Sequence, residues 1–278
     1  MTRDLVLLGG GHTHALVLRK WGMNPLAGVR LTVINPGPTA PYSGMLPGFV
    51  AGHYSRDELD IDLVQLARFA GARVILGAAS AVDLTARTVN VIGRPASIDV
   101  GITSTMPDLK GFTEHGVPAK PLGTFASRWD AVRNDGTAKD IAVIGGGVAG
   151  AELAMAMSFA MGGKAEVKLI DRGVVLKDLD GTARAKMLNA LTRSRVALVE
   201  HADVVKITSL GVLLGDGRQI DAQFVTGAAG ARAHDWVDTI GLDMTDGFVN
   251  VNKQLQSSDP AIFAVGDCAH MTENPRPK

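Results

Sequence analysis

Short apolar runs alternate along this chain with longer, Ala-rich stretches of helical periodicity. The apolar runs are bounded by polar residues or glycine and predict buried strands; they lie at residues 5–8, 31–34, 73–76, 141–144 and 166–170. The helical stretches lie at residues 14–21, 62–70, 149–161 and 181–194, and most stop at or near a glycine. Strands that alternate with helices in this way predict an α/β fold with parallel sheets.

Four other segments depart from the alternation. Residues 82–92 and 212–225 predict antiparallel strand pairs, the second with an Asp-Gly turn. Residues 35–54 hold four prolines and four glycines, which predicts a long irregular loop of the kind that is usually functional. Residues 111–124 are also rich in proline and glycine and predict an interdomain linker.

The strand–helix pattern contains an internal repeat. Residues 4–11 and 140–147 are near copies, offset by 136, and each apolar run stops at three consecutive glycines. In each copy a second apolar run ends on a polar residue 26 positions after the first glycine, at Asn35 and at Asp171. This strand, Gly-rich turn, helix and strand unit is the dinucleotide-binding fingerprint. Two copies in matched register predict two dinucleotides in one protein, with electrons passing between them.

The repeat also exposes a difference in length between the two antiparallel segments. Gly230 lies 13 positions after Gly217 in the second copy, whereas Gly101 lies only 8 positions after Gly93 in the first. We therefore expect the first copy to lack about five residues, part of a strand, near Pro95.

The two glycine turns predict matching pyrophosphate sites. A helix N-terminus offers unpaired N–H groups and the positive end of the helix dipole, and glycines let the backbone approach the phosphates. The predicted phosphate-binding residues are Gly9, Gly10, Gly11, His12 and Thr13 in the first turn, and Gly145, Gly147, Val148 and Gly150 in the second. The second turn is a complete G-x-G-x-x-G, whereas His14 stands where the first turn should have its third glycine. We interpret His12 and His14 as turn and packing residues rather than metal ligands, because no further ligands have suitable spacing.

The residue after the second strand of each copy indicates which nucleotide binds. Asp171 can accept hydrogen bonds from an adenosine ribose, and its charge would repel a 2′-phosphate, which favours NAD(H) over NADP(H). Arg172 beside it is the feature that would suit NADP(H). The alternative for this pair is a solvated turn without a ligand. Asn35 can accept the same ribose hydrogen bond without a charge.

Composition removes several classes of function. Lys and Arg total 28, as do Asp and Glu, so net charge gives no argument for nucleic acid or an anionic membrane surface as partner. The single cysteine, Cys268, excludes a disulfide framework and a CxxC redox pair, and we interpret it as structural. No apolar stretch is long enough to span a bilayer, and no signal peptide precedes the first strand. We expect a cytoplasmic protein without a transmembrane segment or a metal site.

With both turns and the closing residues 262–267 in view, the chain resembles the pyridine nucleotide–disulfide oxidoreductase superfamily of two-dinucleotide flavoproteins. Residues 9–14, 42–48 and 266–270 most resemble its NADH dehydrogenase-like FAD proteins, in particular those fused to or encoded beside selenide, water dikinase. The resemblance implies two Rossmann-like three-layer domains and a C-terminal interface domain that is absent here. The NAD(P)H domain, residues 118–246, would be inserted in an FAD domain formed by residues 1–112 and 247–278.

The resemblance also implies roles for individual residues. FAD would lie on the first turn and Asn35, beside Gly44 and Met45, with Gly266 and Asp267 returning to its ribityl chain. Glu152 would lie in the first turn of the NAD(P)H helix, near the nicotinamide; the alternative is a helix acid favoured by the dipole. Residues 41–47 contain no cysteine, where disulfide reductases of the superfamily carry a redox pair. This argues against a disulfide reductase and against a sulfide–quinone oxidoreductase.

The predicted function is an FAD-dependent NAD(P)H dehydrogenase, in which hydride passes from NADH to FAD and on to a quinone or other small-molecule acceptor. The flavin carries the chemistry, so no catalytic side chain is expected. Two alternatives stay open: an electron donor to selenium or sulfur metabolism with a selenide, water dikinase partner, and a non-catalytic flavin-binding regulatory subunit. The resemblance also leaves room for a homodimer and for peripheral membrane attachment.

Overall fold

The computed structural model describes residues 3–91, 94–95 and 102–275. Its elements in the first part of the chain are β1 Arg3–Leu8, α1 His12–Met23, β2 Val29–Asn35, β3 Thr39–Pro41, α2 Leu46–Ala51, α3 Arg56–Leu59, β4 Asp60–Asp62, α4 Leu63–Ala70, β5 Arg73–Leu76, β6 Ala79–Asp83, β7 Thr88–Val91, β8 Arg94–Pro95 and β9 Ile102–Ser104. Those that follow are α5 Phe112–His115, β10 Gly116–Pro118, α6 Leu122–Asp135, β11 Asp140–Ile144, α7 Val148–Met161, β12 Glu166–Ile170, α8 Gly181–Arg193 and β13 Val196–Val199. The last are β14 Val204–Thr208, β15 Gly211–Leu214, β16 Gln219–Asp221, β17 Phe224–Gly227, β18 Ala231–Ala233, β19 Met244–Thr245, β20 Phe248–Val251 and β21 Ala269–Met271. Short 3-10 helices lie at Ser43–Met45, Met106–Asp108, Asp235–Ile240 and Gly266–Cys268.

The chain divides into two compact units, each made of segments that alternate along the sequence. The first unit comprises Met1–Tyr42, Asp60–Thr103 and Arg232–Lys278, and the second comprises Ser43–Leu59 and Ser104–Ala231. The boundaries differ from the predicted ones chiefly at Ser43–Leu59, which follows the first glycine turn in sequence but packs with the second unit.

The first unit is built on a parallel sheet of order β1–β2–β5. Leu5 pairs with Leu31 and Leu8 with Ile34 in the β1–β2 register. Helices α1 and α4 pack together over this sheet through a buried apolar cluster that includes Leu18. The antiparallel strands β6, β7 and β8 form a separate small sheet.

The second unit is built on a five-stranded sheet of order β10–β17–β11–β12–β13, and every pair in it is parallel. Its central strands are buried on both faces, as expected for a parallel sheet covered by helices. Strands β14, β15 and β16 form an antiparallel sheet. The predicted α/β class with parallel sheets is therefore confirmed.

Three predicted segments differ from the structure. The linker predicted at 111–124 is wrong, because the segment contains α5 and β10, and β10 is an edge strand of the five-stranded sheet. The loop predicted at 35–54 contains helix α2, which tolerates Pro47 because proline fits the first turn of a helix. The pair predicted at 212–225 is confirmed for β15 and β16, which are antiparallel on either side of the Asp-Gly turn, but its last two residues belong to β17, which joins the parallel sheet beside β11. The residues predicted to be missing near Pro95 fall on a stretch, 96–101, outside the described residues.

Helix α2 is fixed to the rest of the second unit by side chains of α6. The indole Nε1–H of Trp129 donates to the Val50 carbonyl at 2.9 Å, and Arg133 Nη1 donates to the Phe49 carbonyl at 3.1 Å. Phe49, Val50 and Trp129 are fully buried. The Trp129 bond gives the Val50 carbonyl a donor at the end of α2, and the Arg133 bond adds a second donor to the Phe49 carbonyl, which also accepts the Gly52 N–H.

We expect the change Trp129→Phe to lower the free energy of unfolding by about 1–3 kcal/mol, because it leaves the buried Val50 carbonyl without its donor. Urea unfolding monitored by circular dichroism would measure the change. Trp21→Phe is the matched control, since Trp21 is also buried and the structure records no bond from its ring nitrogen. An equal loss for both variants would contradict a role for the hydrogen bond.

Candidate dinucleotide-binding sites

The two glycine turns have the same construction. In the first unit Gly11 is the N-cap of α1, and in the second Gly147 is the N-cap of α7; neither helix has a side-chain cap bond. The first N–H groups of each helix are therefore available to a ligand. A Cβ added at Gly11 or Gly147 would meet nothing within 4 Å. Each turn thus has an open face beside a helix N-terminus, where an anionic group can approach the backbone.

A polar side chain closes each turn from the neighbouring strand. The Gly10 N–H donates to Asn35 Oδ1 at 2.9 Å, and the Gly146 N–H donates to Asp171 Oδ2 at 2.6 Å. The sequence predicts that Asn35 and Asp171 accept ribose hydroxyls, and the structure adds that each also holds the second glycine of its turn. Carboxylate and amide oxygens accept more than one hydrogen bond, so the two roles are compatible.

The third glycine position differs between the turns, and the structure gives the reason. A Cβ at Gly150 would lie 1.9 Å from the Gly145 carbonyl oxygen, so only glycine fits there. In the first unit the equivalent residue, His14, is buried and its Nδ1 lies 2.8 Å from the Gly9 carbonyl oxygen. A carbonyl only accepts, so Nδ1 carries the hydrogen. A side-chain hydrogen bond takes the place of close helix–strand contact, and the predicted packing role of His14 is confirmed.

Other predicted residues are distributed over both units. The His12 ring stacks on Tyr42 with centroids 4.5 Å apart, at the beginning of α1. Gly266, with φ +68°, begins a 3-10 helix in which Asp267 is exposed. Gly44 and Met45, in contrast, lie in the 3-10 helix that belongs to the second unit. The structure therefore brings the first-turn residues together with Asn35, and it groups Gly44 and Met45 with the other unit.

Residues predicted for the NAD(P)H side lie on exposed positions around the second turn. Val148, the first residue of α7, is 42% exposed, and Arg172 is exposed beside the half-buried Asp171. Glu152 is exposed but is the fifth residue of α7. Its predicted place in the first turn of the helix is therefore wrong by one residue, since the first turn contains no acidic side chain.

The segment after β12 supports the second turn in a way that the sequence does not reveal. The Leu176 N–H donates to the Gly146 carbonyl at 2.7 Å, and Leu176 has φ +58°. Glu200 Oε1 accepts the Val175 N–H at 2.8 Å, which holds the neighbouring residue in place. No motif marks Leu176 or Glu200, because their roles depend on how the segment folds back onto the turn.

In the part of the chain that the structure describes, no helix is long and apolar enough to cross a membrane. No group of three or more His, Cys, Asp or Glu side chains there could hold a metal ion. The only cysteine, Cys268, is buried, and its Sγ lies 3.2 Å from the Val265 carbonyl oxygen.

Residues 3–278 match the family described as pyridine nucleotide-disulphide oxidoreductase. The chain belongs to this family. Its members are FAD-dependent NAD(P)H oxidoreductases, so the predicted enzyme class and the cofactors FAD and NAD(H) are confirmed at the level of the family. The open faces of both turns and their uncapped helix N-termini fit the pyrophosphates of two such cofactors.

The chain is also similar to other known proteins, and in each case the match covers only part of the other protein's length. A nitric oxide reductase FlRd-NAD(+) reductase of Klebsiella pneumoniae is 37% identical over 140 residues, covering 48% of this chain and 36% of the relative. A dihydrolipoyl dehydrogenase of Acholeplasma laidlawii is 26% identical over 198 residues, covering 68% of this chain and 56% of the relative. The solved structure of reduced Bacillus anthracis CoADR-RHD shares the fold, with a TM-score of 0.85 and 20% identity, over 99% of this chain and 53% of that one. The chain thus spans about a third to little more than half of these proteins.

We expect Gly150→Ala to lower the free energy of unfolding by about 1–3 kcal/mol and to weaken NADH binding, because the new Cβ would push α7 away from the Gly145 carbonyl. Gly181→Ala is the matched control, since Gly181 is also within the first turn of a helix but has nothing within 4 Å of its added Cβ. Chemical unfolding and NADH titration would measure both variants. Identical behaviour of the two would show that close packing at Gly150 is unimportant.

Proposed function

We propose that this chain is the dinucleotide-binding part of an FAD-dependent NAD(P)H oxidoreductase, with FAD on the first turn and NAD(H) on the second. The observation that carries the proposal is the paired construction of the turns. Each has an open glycine face, at Gly11 and Gly147, beside a helix N-terminus without a side-chain cap. Both features suit a pyrophosphate, and one protein has both sites.

The assignment of FAD and NAD(H) to the two turns rests on the side chains that close them and on the sequence motifs. Asp171 places a carboxylate at the second turn, which accepts ribose hydroxyls and disfavours a 2′-phosphate. Asn35 closes the first turn without a charge. Gly266 and Asp267 complete the first site on the basis of the motif alone, as do Gly44 and Met45. Glu152, one turn into α7, is the acid nearest in sequence to the open face of the second turn.

The residues of each site bind and orient rather than react. The helix N-termini neutralise the pyrophosphates with their N–H groups, and Asn35 and Asp171 hold the glycine turns so that these groups point outward. Bound FAD supplies two-electron chemistry that side chains cannot perform. Because the flavin would supply the chemistry and the protein would only bind and orient, no catalytic side chain is expected, and this stays a prediction.

We infer that the electron acceptor is a small molecule, such as a quinone, or a partner protein. A partner protein is suggested by one relative, which carries the name nitric oxide reductase FlRd-NAD(+) reductase. An association with selenide, water dikinase rests on the sequence motifs of residues 9–14, 42–48 and 266–270 alone. NADH oxidation that depends on added selenide would support that branch, and oxidation that depends on a quinone would oppose it.

A matched pair of substitutions tests the assignment of the cofactors. Gly11→Val would place side-chain atoms on the open face of the first turn, and we expect it to abolish FAD retention. Gly147→Val would do the same at the second turn, and we expect flavin to stay bound but NADH no longer to bleach its visible absorbance. Anaerobic NADH titration of the FAD-loaded proteins distinguishes the two. The assignment is wrong if the phenotypes are exchanged.

A second prediction concerns the choice of nicotinamide nucleotide. Asp171→Ala removes the carboxylate and leaves Arg172 beside the ribose position. We expect kcat/KM for NADH to fall by about 10–100-fold, roughly 1.4–3 kcal/mol of lost binding, and kcat/KM for NADPH to fall less, because both nucleotides lose the bond that holds Gly146 but only NADH also loses a ribose contact. Steady-state kinetics with both nucleotides would measure the ratio. Arg172→Ala is the control, and it should lower the NADPH rate only.

A further inference from the structure

The segment between β12 and α8, residues 171–180, lies beside the second glycine turn and contains no helix or strand. Its middle is buried, since Val175 and Leu176 are 0% and 2% exposed, whereas Arg172 and Lys177 are exposed. The segment therefore has a buried anchor between residues that face solvent.

Two charged side chains hold the backbone of Val175. Glu200 Oε1 accepts the Val175 N–H at 2.8 Å, and Arg184 Nε donates to the Val175 carbonyl at 3.0 Å. Arg184 Nη2 lies 3.9 Å from the same Glu200 oxygen, and the two side chains are 31% and 32% exposed. Each backbone bond involves an ionised group, which makes it stronger than a bond between neutral groups. We call Arg184 and Glu200 the Val175 clamp.

The clamp supports the glycine turn through the next residue of the segment. The Leu176 N–H donates to the Gly146 carbonyl at 2.7 Å, and the Gly146 N–H donates to Asp171 Oδ2 at 2.6 Å. Both backbone groups of the second glycine are therefore held by the segment that Val175 anchors. Leu176 has φ +58°, a left-handed conformation that leucine rarely adopts. The bonds on either side of it are needed to keep it there.

The same segment fixes the direction of the Asp171 carboxylate. Oδ2 accepts the Gly146 N–H, and Oδ1 accepts the Gly173 N–H at 2.7 Å. A carboxylate oxygen accepts more than one hydrogen bond, so both oxygens can still accept from the two hydroxyls of a ribose. A carboxylate that the protein already holds in place need not be ordered when a nucleotide binds, which increases affinity.

The first unit holds the equivalent segment with the closing side chain itself. The Asn35 amide Nδ2 donates to the Thr39 carbonyl at 3.0 Å, and Thr39 is the counterpart of Val175 at the 136-residue offset of the repeat. An ionised carboxylate has no hydrogen to donate, so Asp171 cannot hold the Val175 carbonyl in this way. Arg184 supplies the donor that the change from amide to carboxylate removes.

We propose that Arg184 and Glu200 are positioning residues of the NAD(H) site, and that their clamp on Val175 increases the affinity for the nicotinamide nucleotide. The proposal rests on the assignment of NAD(H) to the second turn under the proposed function. Both side chains act by keeping Asp171 and the glycine turn in the binding conformation before the nucleotide arrives. Without the clamp, the segment would have to be ordered at the binding step, whereas the reaction of bound NADH would be unaffected.

Arg184→Met and Glu200→Met remove the clamp, and anaerobic rapid mixing of the FAD-loaded full chain with NADH measures the effect. The NADH concentration that half-saturates the rate of flavin reduction should rise about ten-fold, as expected for the loss of one partly exposed charge-assisted hydrogen bond. The limiting rate at saturating NADH should stay within about two-fold. Glu200→Gln keeps an oxygen that can accept the Val175 N–H, and it should bind NADH nearly as the unaltered chain does.

Two further variants separate the clamp from general destabilisation. Because Arg184 and Glu200 act through one residue, the double Met variant should bind NADH little more weakly than either single variant. Lys168→Met is the matched control, since it also removes a partly buried cation from the second unit. Lys168 pairs with Asp140 at 2.6 Å, at the beginning of β11, whereas the glycine turn follows the end of that strand. It should leave the half-saturating NADH concentration unchanged.

Amide hydrogen exchange gives a measurement that does not depend on turnover. In the nucleotide-free chain the Leu176 amide, which donates to the Gly146 carbonyl, should exchange faster in Arg184→Met than in Lys168→Met. Added NADH should restore its protection, because the bound nucleotide orders the segment.

The outcomes distinguish the clamp from the cofactor assignment. An unchanged half-saturating concentration in both clamp variants, an equal rise in Lys168→Met, or a fall in the limiting rate alone would overturn the clamp. If Gly147→Val abolishes NADH binding and the clamp variants do not weaken it, only the clamp is wrong. If Gly147→Val leaves NADH binding unchanged, the assignment of NAD(H) to the second turn is wrong, and the clamp proposal fails with it.

Discussion

The hydrogen bond from the second glycine of each turn to a side chain on the adjacent strand is the constraint on which both sites depend. It joins Gly10 to Asn35 in one unit and Gly146 to Asp171 in the other. A glycine turn has many accessible conformations, and ordering it costs conformational entropy. The hydrogen bond to Asn35 or Asp171 selects one conformation of the turn and satisfies the N–H group of its second glycine. The helix N–H groups that remain face the open side, where a pyrophosphate can reach them.

The two units differ in how the helix after the glycine turn packs against that turn. In the second unit the helix approaches the turn so closely that Gly150 cannot carry a side chain. In the first unit His14 fills that position and bonds to the Gly9 carbonyl. Both arrangements fix the helix relative to its strand, one by contact and one by a side-chain hydrogen bond. The departure from the glycine pattern is therefore compatible with a nucleotide site.

The strongest structural asymmetry between the units lies in their sheets. Strand β11 has neighbours on both sides, and β1 has one among the described residues. Leu5 of β1 is 38% exposed, whereas its counterpart in the repeat, Ile141 of β11, is fully buried.

The sequence by itself determined the local features: the strand–turn–helix units, their repeat, the helix ends at Asp62 and Gly71, and the two glycine turns with the residues that close them, Asn35 and Asp171. These depend on short-range periodicity and on backbone conformations that only glycine adopts easily, and both can be read from residue types. Only the tertiary structure decided that Ser43–Leu59 packs with the second unit, that 111–124 is a strand and helix rather than a linker, and that β17 joins β11. These outcomes depend on buried contacts between residues far apart in the chain, such as Trp129 with Val50. The residue pattern of a single segment does not indicate which distant segment it will pack against.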